Sequence, residues 1–276
     1  MQEARPSRTA LRVALRRAAH QTVDSPLVFR DPLAERILGP HAEELRAPQR
    51  TSSRVLRAFL VARSRYAEDT LALGIENGIT QYVLLGAGLD TFAYRNPFPN
   101  LRIFEVDHPA TQAWKLDLLS SSRIAVPPTV THVPVDFEHQ ALATRLSQSG
   151  FRTDKPAFFA WLGVVPYLTE PAFQSTLHVI ASQPPGSGFV MDYAPPPETL
   201  STLERMAFDS LAARVAMVGE PFQLFFTPSD LASRLHTAGF TQIEDLGRDA
   251  INQRYFHNRN DDFAIMGSGR LLSAWK

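Results

Sequence analysis

Five short apolar segments between residues 82 and 192 recur at regular spacing, and each is followed by turn residues and a stretch compatible with a helix. They lie at residues 82–85, 102–106, 130–135, 157–161 and 188–192. Strands that alternate with helices predict βαβ units and a parallel sheet with helices on both faces. Two further apolar segments, at residues 241–246 and within residues 262–274, are separated by no long helical pattern. We expect them to be two final strands that pair antiparallel.

The residues before the first strand predict three helices. One carries apolar residues at helical spacing, namely Leu11, Ala14, Leu15 and Ala18. A second begins at Asp31, a favourable N-cap, and ends at Gly39. A third covers residues 53–73 and is closed by Gly74. We therefore expect one domain over residues 1–276, with a helical cap (residues 1–78) and an α/β core (residues 79–276).

Charge and composition exclude several classes of protein. Lys and Arg together number 28, as do Asp and Glu, so no overall charge attracts nucleic acid or an anionic membrane. The chain has no cysteine, which excludes disulfides and thiolate nucleophiles. It has no apolar run near the roughly 20 residues that span a bilayer. The Arg-rich N-terminal segment resembles a transit peptide, but we interpret it as a helix of the fold and expect a cytoplasmic enzyme.

Polar groups follow each of the five predicted parallel strands. In open α/β sheets, ligands bind at the carboxyl ends of the strands. A loop, Gly86-Ala87-Gly88-Leu89-Asp90, follows the first strand, and Asp107 ends the second about 20 residues later. That spacing is typical of an acid that binds ribose hydroxyls. Asp136 ends the third strand, and the segments WLGVVPYL and DYAPPP follow the fourth and fifth. Asp107 and Asp136 have an alternative role as caps of the turns or helices that follow them.

The glycine loop departs from the dinucleotide-binding motif G-x-G-x-x-G. Thr91 stands where the third glycine would allow close packing of helix and strand. Asp90 lies in the part of the loop that would face a pyrophosphate, and two anions there would repel each other. S-adenosylmethionine (SAM) carries a sulfonium, an ammonium and no phosphate, so it suits this loop better than NAD does.

Arg63 lies on an otherwise apolar helix face. Leu56, Phe59, Leu60, Ala67 and Leu71 share that face. A buried guanidinium needs a partner, because leaving it unpaired costs several kcal/mol. The pattern leaves two partners open, a protein carboxylate such as Asp90 or a carboxylate of the ligand.

Five segments resemble, in the same order, the leucine carboxyl methyltransferase family, and most closely its bacterial SAM-dependent branch. They are SRTALRVALRRAAH, ARSRYAED, YVLLGAGLDTFAYR, FEVDHPATQAWK and WLGVVPYLT. The resemblance spans residues 7–169. It implies the seven-stranded, Rossmann-like class I SAM-dependent methyltransferase fold with a helical lid, and SAM as the cofactor.

The resemblance also implies roles for residues around the methionine part of SAM. Arg63 matches the arginine that holds its carboxylate, and Arg16 matches a basic lid residue near that carboxylate. Leu162 occupies a cofactor-facing position after the fourth strand where eukaryotic members carry an acid. A carboxylate contact to the ammonium from this strand is therefore missing, and Asp90 or backbone carbonyls could replace it.

The remaining cofactor residues implied by the resemblance lie along the first three strands. Gly86 and Gly88 would lie beside the methionine and ribose parts of SAM, and Asp107 would accept hydrogen bonds from the ribose hydroxyls. Asp136 and Phe137 match the pair that flanks adenine.

For the methyl acceptor, the sequence offers Tyr167 and Tyr193, which follow the fourth and fifth strands. It offers no convincing general base and no metal-ligand spacing of histidines and acids. A carboxylate needs no base to react at neutral pH. We therefore expect an O-methyltransferase that acts on a carboxylate of a small molecule. A phenolic O-methyltransferase, an NAD-type oxidoreductase and a catalytically silent SAM-binding scaffold are the alternatives.

Overall fold

The chain forms a seven-stranded sheet in the order β3-β2-β1-β4-β5-β7-β6. The computed structural model describes residues 6–46, 51–137, 139–217 and 219–276. The strands are β1 (Gln81–Leu85), β2 (Arg102–Asp107), β3 (Val130–Pro134), β4 (Phe158–Trp161), β5 (Gly188–Tyr193), β6 (Gln242–Leu246) and β7 (Arg270–Trp275). The first five are parallel, and β7 runs antiparallel to both β5 and β6. The predicted parallel core and antiparallel final pair are confirmed.

Nine α-helices lie within the described residues, in the cap and on both faces of the sheet. They are α1 (Arg8–Val23), α2 (Thr51–Glu76), α3 (Phe92–Arg95), α4 (Pro109–Ser121), α5 (Leu142–Gln148), α6 (Glu170–Ala181), α7 (Thr202–Ala216), α8 (Pro228–Thr237) and α9 (Arg248–Tyr255). Several begin at hydroxyl caps, as when Ser7 accepts a hydrogen bond from the Ala10 amide and Thr227 one from Asp230. These caps fix where each helix begins relative to the strand edges.

Two apolar layers enclose the central strands. Every residue of β1, β4 and β5 is buried, as expected of parallel strands covered on both faces. Successive residues of β5 alternate between the layers: Phe189 and Met191 pack on one side, and Val190 packs on the other beside α2 residues such as Ala62. The same alternation directs the next residue of β5, Asp192, toward α2.

The predicted helix from Asp31 to Gly39 is wrong. Residues 32–35 form turns, and a 3-10 segment, Arg36–Arg46, is interrupted at Gly39, where φ is +53°. Asp31 does accept a hydrogen bond from the Leu33 amide, as a cap would, but Pro40 has no amide to continue an α-helix. The carboxylate of Asp31 is also bound to the buried side chain of Arg17, so tertiary contacts determine the local conformation.

Gly74 does not close the third predicted helix, which continues to Glu76 as α2. A Cβ at Gly74 would lie 2.8 Å from the Trp275 ring, so this glycine permits close packing of α2 on β7. The chain leaves the helix at Gly78, whose φ is +94°, and the Ile79 amide donates to the Gly74 carbonyl.

A buried polar cluster joins α1 to α2. Arg57 donates two hydrogen bonds to Asp24, at 2.7 and 2.9 Å, and His20 Nδ1 lies 2.8 Å from the same carboxylate. His20 Nε2 faces the amides of Val28 and Phe29 and therefore accepts, which makes Nδ1 the donor. Burial alone would raise the pKa of Asp24, but the hydrogen bonds from His20 and Arg57 outweigh it and lower the pKa to about 2.

We expect Asp24→Asn to destabilise the protein by about 3–5 kcal/mol, because it leaves Arg57 buried without its counter-charge. A carboxyl group with a lowered pKa stabilises the fold above its ordinary pKa, near 4, and that contribution is lost as the pH falls toward 2. The difference between wild type and variant, measured by urea unfolding, should therefore shrink over that range. Asp209→Asn, which breaks the exposed ion pair of Arg205 on α7, is the matched control and should cost at most about 1 kcal/mol. Equal losses in the two variants would contradict the role given to Asp24.

Candidate active site

The loop after β1 has a backbone shape that requires glycine. Gly86 and Gly88 have φ values of +68° and +48°. A Cβ at Gly86 would lie 2.3 Å from Cγ2 of Val164, so the segment after β4 packs directly against the loop. The amides of Gly86 and Ala87 both donate to the Val106 carbonyl, which holds the loop against the end of β2.

Asp107 lies beside this loop, as the sequence predicts. One carboxylate oxygen accepts from the Gly88 amide at 2.5 Å and the other from the His108 amide at 2.7 Å. Asp107 does not cap α4, because His108 is the N-cap and its side chain accepts from the Ala110 amide. Burial raises the pKa of Asp107 to about 6, against the lowering effect of these two hydrogen bonds. A carboxylate has about four acceptor positions, so two remain for the hydroxyls of a ligand.

Asp136 and Phe137 follow β3 at the same edge. Strands β2 and β3 pair up to Asp107 and Pro134, and beyond that pair Asp136 Oδ2 lies 3.9 Å from His108 Nε2. The Asp136 carbonyl accepts from the Gln140 amide, which gives Asp136 a turn-forming role as well. Phe137 is partly buried against the apolar core.

Asp90 faces the cap. Its carboxylate accepts from the Phe92 amide at 2.7 Å and from Arg17 Nη1 at 3.2 Å. Burial favours a higher pKa for Asp90, but the charges of Arg17, Arg95 and Lys115 lower it below its usual value. Because Arg17 offsets the charge of Asp90, repulsion of a pyrophosphate is a weaker argument against a dinucleotide than the sequence implied. Thr91 remains an argument, since its side chain is fully buried where the motif has its third glycine.

Arg63 is buried, and its partner in the protein is Asp192 rather than Asp90. Arg63 Nη1 lies 3.0 Å from Asp192 Oδ2, and the other oxygen of Asp192 accepts from the Gly163 amide at 2.5 Å. Among the described residues, the buried Arg63 Nε has no hydrogen-bond partner. An unsatisfied buried donor is costly, so a ligand carboxylate that reaches this nitrogen would gain a favourable hydrogen bond. Sequence reasoning noted the segment DYAPPP after β5 but missed its first residue, Asp192, as the partner of Arg63.

The structure separates the two candidate acceptor residues. Tyr167 ends the 3-10 segment Val165–Tyr167 and packs on Phe222 at 5.2 Å between ring centroids. Burial, and next the charge of Glu220, raise the pKa of its phenol, and the charges of Arg63 and Asp192 also act on it. Tyr167 therefore lies on the Arg63 side of the sheet edge as a neutral phenol.

Tyr193 is buried, and its hydroxyl donates to Asp245 at 2.6 Å. It follows Asp192 in β5 and so faces the opposite side of the sheet from Arg63. Among the described residues, Tyr193 makes no hydrogen bond or ring contact with Arg63 or Tyr167. A role of Tyr193 in binding the acceptor therefore stays a prediction. Leu162 is partly buried and packs against the apolar layer beside α2.

Helix α1 covers the glycine loop. A Cβ at Gly88 would lie 3.2 Å from Cβ of Ala10, and the Ser7 amide donates to Thr111 at the start of α4. Arg17 and Arg16, adjacent in α1, have different surroundings. Arg17 is bound to Asp31 and Asp90. In the part of the chain that the structure describes, Arg16 Nη1 donates to the carbonyl of Arg12, and Arg16 Nε is buried without a partner.

Among the residues that the structure describes, no group of three or more acidic or histidine side chains is placed to hold a metal ion. No helix there is both long enough and apolar enough to cross a membrane.

Comparison with known proteins assigns the chain to a family. The model of the family described as leucine carboxyl methyltransferase matches residues 10–181. A Bacillus subtilis (strain 168) protein, YktD, named as a candidate S-adenosyl-L-methionine-dependent methyltransferase, is 33% identical over 306 aligned positions that cover all of both chains.

Solved structures agree in fold. The crystal structure of a candidate methyltransferase from Thermobifida fusca YX has a TM-score of 0.61 at 15% identity and covers 100% of this chain and 96% of its own. Magnesium protoporphyrin IX methyltransferase from Synechocystis PCC 6803, solved with bound S-adenosylhomocysteine, has a TM-score of 0.50 at 12% identity. The match covers 83% of this chain and 89% of the methyltransferase chain. The chain has the class I SAM-dependent methyltransferase fold and belongs to the leucine carboxyl methyltransferase family, in its branch of SAM-dependent methyltransferases.

Proposed function

We propose that this methyltransferase uses SAM to methylate a carboxylate of a small molecule. The observation that carries the proposal is that two groups lie at the same edge of the sheet: Asp107, beside the glycine loop, and Arg63, whose Nε has no partner among the described residues. Such an edge suits a ligand with a ribose diol at one end and an amino-acid carboxylate at the other. SAM has both groups and no phosphate.

The residues present fit this cofactor by their donor and acceptor capacity. Asp107 has two acceptor positions left for the ribose hydroxyls, and Arg63 has one buried donor for the carboxylate. Asp136 and Phe137 lie beyond Asp107, where adenine would follow the ribose. The bare backbone of Gly86 and Gly88 allows close approach between these two ends.

SAM supplies an electrophilic methyl group on a sulfonium when bound. The protein must align the acceptor oxygen with that group and keep water out. A carboxylate acceptor is ionised at neutral pH, so no side chain needs to remove a proton. The neutral phenol of Tyr167, beside Arg63, can donate a hydrogen bond that orients the acceptor, and α1 closes the site from above.

Titration of Asp107 should make the affinity for the cofactor depend on pH. Ribose hydroxyls that donate to Asp107 favour its carboxylate and so lower its pKa from about 6. Binding then releases a proton at low pH, and the Kd for S-adenosylhomocysteine should rise up to about tenfold per unit as the pH falls below 6. Calorimetry between about pH 5 and pH 8 measures this. Asp107→Asn should bind more weakly at pH 8 and show a flat profile, and a wild-type profile that is already flat would contradict the role of Asp107.

The carboxylate end can be tested with two ligands. Arg63→Gln should weaken the binding of S-adenosylhomocysteine by roughly 10- to 100-fold, which corresponds to the loss of a charge-assisted hydrogen bond. The Kd of 5′-methylthioadenosine, which lacks the carboxylate, should stay unchanged within about twofold. Asp107→Asn is the control, since it should weaken both ligands. Equal weakening of both ligands by Arg63→Gln would indicate a general loss of structure and would count against this role.

The reaction itself is tested by supplying methyl-labelled SAM with panels of carboxylic acids and phenols. A carboxylate acceptor gives a methyl ester, and mild alkali should release its label as methanol. Label that resists alkali would point to a phenolic ether and overturn the carboxylate assignment. Binding of S-adenosylhomocysteine without turnover of either panel would favour the catalytically silent scaffold, and binding of NAD in its place would favour an oxidoreductase.

A further inference from the structure

We propose that Arg12, Arg16 and Arg214, here called the arginine cluster, bind a second anionic group of the methyl acceptor, a carboxylate or a phosphate. This inference rests on the proposed function and deepens it. It defines the acceptor class as a molecule with at least two anionic groups, one of which receives the methyl group.

The arginine cluster joins the cap to the C-terminal part of the chain. Arg12 and Arg16 lie one turn apart on α1, and Arg214 lies in the last turn of α7. Arg12 Nη1 lies 3.5 Å from the Arg214 carbonyl, and Arg16 Nη1 donates to the Arg12 carbonyl at 2.9 Å. Arg214 Nη1 itself donates to Ser210 Oγ at 3.1 Å, and the positive charges of Arg12 and Arg214 both act on Arg16.

No carboxylate of the described residues forms an ion pair with the arginine cluster. The neighbouring Arg17 and Arg57, by contrast, each bind an aspartate. Burial, and then the charges of Arg12, Arg214 and Arg57, lower the pKa of Arg16 to about 10. Unbalanced positive charge that is partly buried is unfavourable unless an anion joins it.

The arginine cluster has an open side and a buried side. Arg12 and Arg214 are exposed, while Arg16 is partly buried and its Nε has no hydrogen-bond partner among the described residues. An anion that enters from solvent can therefore meet two exposed guanidinium groups, and a shift of the Arg16 side chain would add its buried Nε as a third donor. Planar guanidinium groups suit bidentate contact with the oxygens of carboxylate or phosphate.

The arginine cluster lies apart from the proposed cofactor carboxylate. Arg57, whose charge acts on Arg16, precedes Arg63 by six residues on α2, which is roughly 9 Å along the helix axis. The charge of Arg57 acts on Arg16, whereas the charge of Arg63 acts on Tyr167, so the two arginines of α2 have different neighbours. That separation suits an acceptor that spans both places, so we assign Arg16 to the acceptor, although the family resemblance implies a place near the cofactor carboxylate.

The test uses inorganic phosphate and acetate as probes on full-length protein, first without S-adenosylhomocysteine and then at a saturating concentration of it. Each probe replaces chloride at constant ionic strength, and the melting temperature is measured. At a tenfold excess over its Kd, a bound anion should raise the melting temperature by about 2–4 °C. Arg12→Gln and Arg214→Gln should each remove most of this rise. Arg205→Gln, on the same helix but paired with Asp209, is the control and should keep it.

A second readout separates ligand binding from a structural role. Removing one of three repelling charges should leave the melting temperature of the anion-free protein unchanged or higher at low salt, whereas loss of a structural contact would lower it. Three results would overturn the inference: no rise in wild type, an equal rise in all variants, or a rise that S-adenosylhomocysteine abolishes. The last would mean that the arginine cluster binds the cofactor carboxylate.

The same samples distinguish failure of this inference from failure of the proposed function. Arg12→Gln and Arg214→Gln should bind S-adenosylhomocysteine with the wild-type Kd, since neither residue is part of the proposed cofactor site. A wild-type protein that binds phosphate but not S-adenosylhomocysteine would refute the proposed function, and the acceptor assignment with it. A protein that binds S-adenosylhomocysteine but no anion would refute only the arginine cluster.

Discussion

Buried arginine–aspartate pairs attach the helical cap to the edge of the sheet, and the candidate site depends on them. Arg17 of α1 reaches Asp90 in the glycine loop, and Arg63 of α2 reaches Asp192 at the end of β5. Each pair bridges a cap helix and a strand end, so the position of the cap over the loop is set by charge as well as by packing. Breaking such a pair leaves an uncompensated buried charge, which strongly disfavours any other arrangement of the cap.

The core was more predictable than the cap, for a physical reason. Parallel strands buried on both faces need continuous apolar segments, and Gly86 and Gly88 occupy positions whose φ values exclude most other residues. These are local constraints, so they are visible in the sequence. The segment from Asp31 to Gly39 carries good helix signals, yet its conformation follows from contacts with Arg17, which no local pattern encodes.

In the candidate site too, features set by local sequence were predictable and those set by tertiary contacts were not. The distance along the chain between Gly88 and Asp107 was enough to place them together, because both lie at ends of adjacent parallel strands. The partner of Arg63 was not predictable in this way, since α2 and β5 are far apart in the chain and any strand-end acid could have met it. Reasoning from the sequence named Asp90 and missed Asp192; the alternation of β5, which turns Asp192 toward α2, explains why Arg63 binds Asp192 instead.

Arg63 and the arginine cluster favour ligand groups of different net charge. The free Nε of Arg63 sits next to Asp192, so that part of the site is nearly neutral and can accept a zwitterion such as the amino-acid end of SAM. The arginine cluster has no such counter-charge within the described residues and would repel a sulfonium placed close to it. Repulsion between the cationic cofactor and the arginine cluster is reduced when an anion lies between them. An acceptor with an anionic group toward each arginine site meets that condition, because its reacting carboxylate faces the sulfonium while its second anionic group neutralises Arg16.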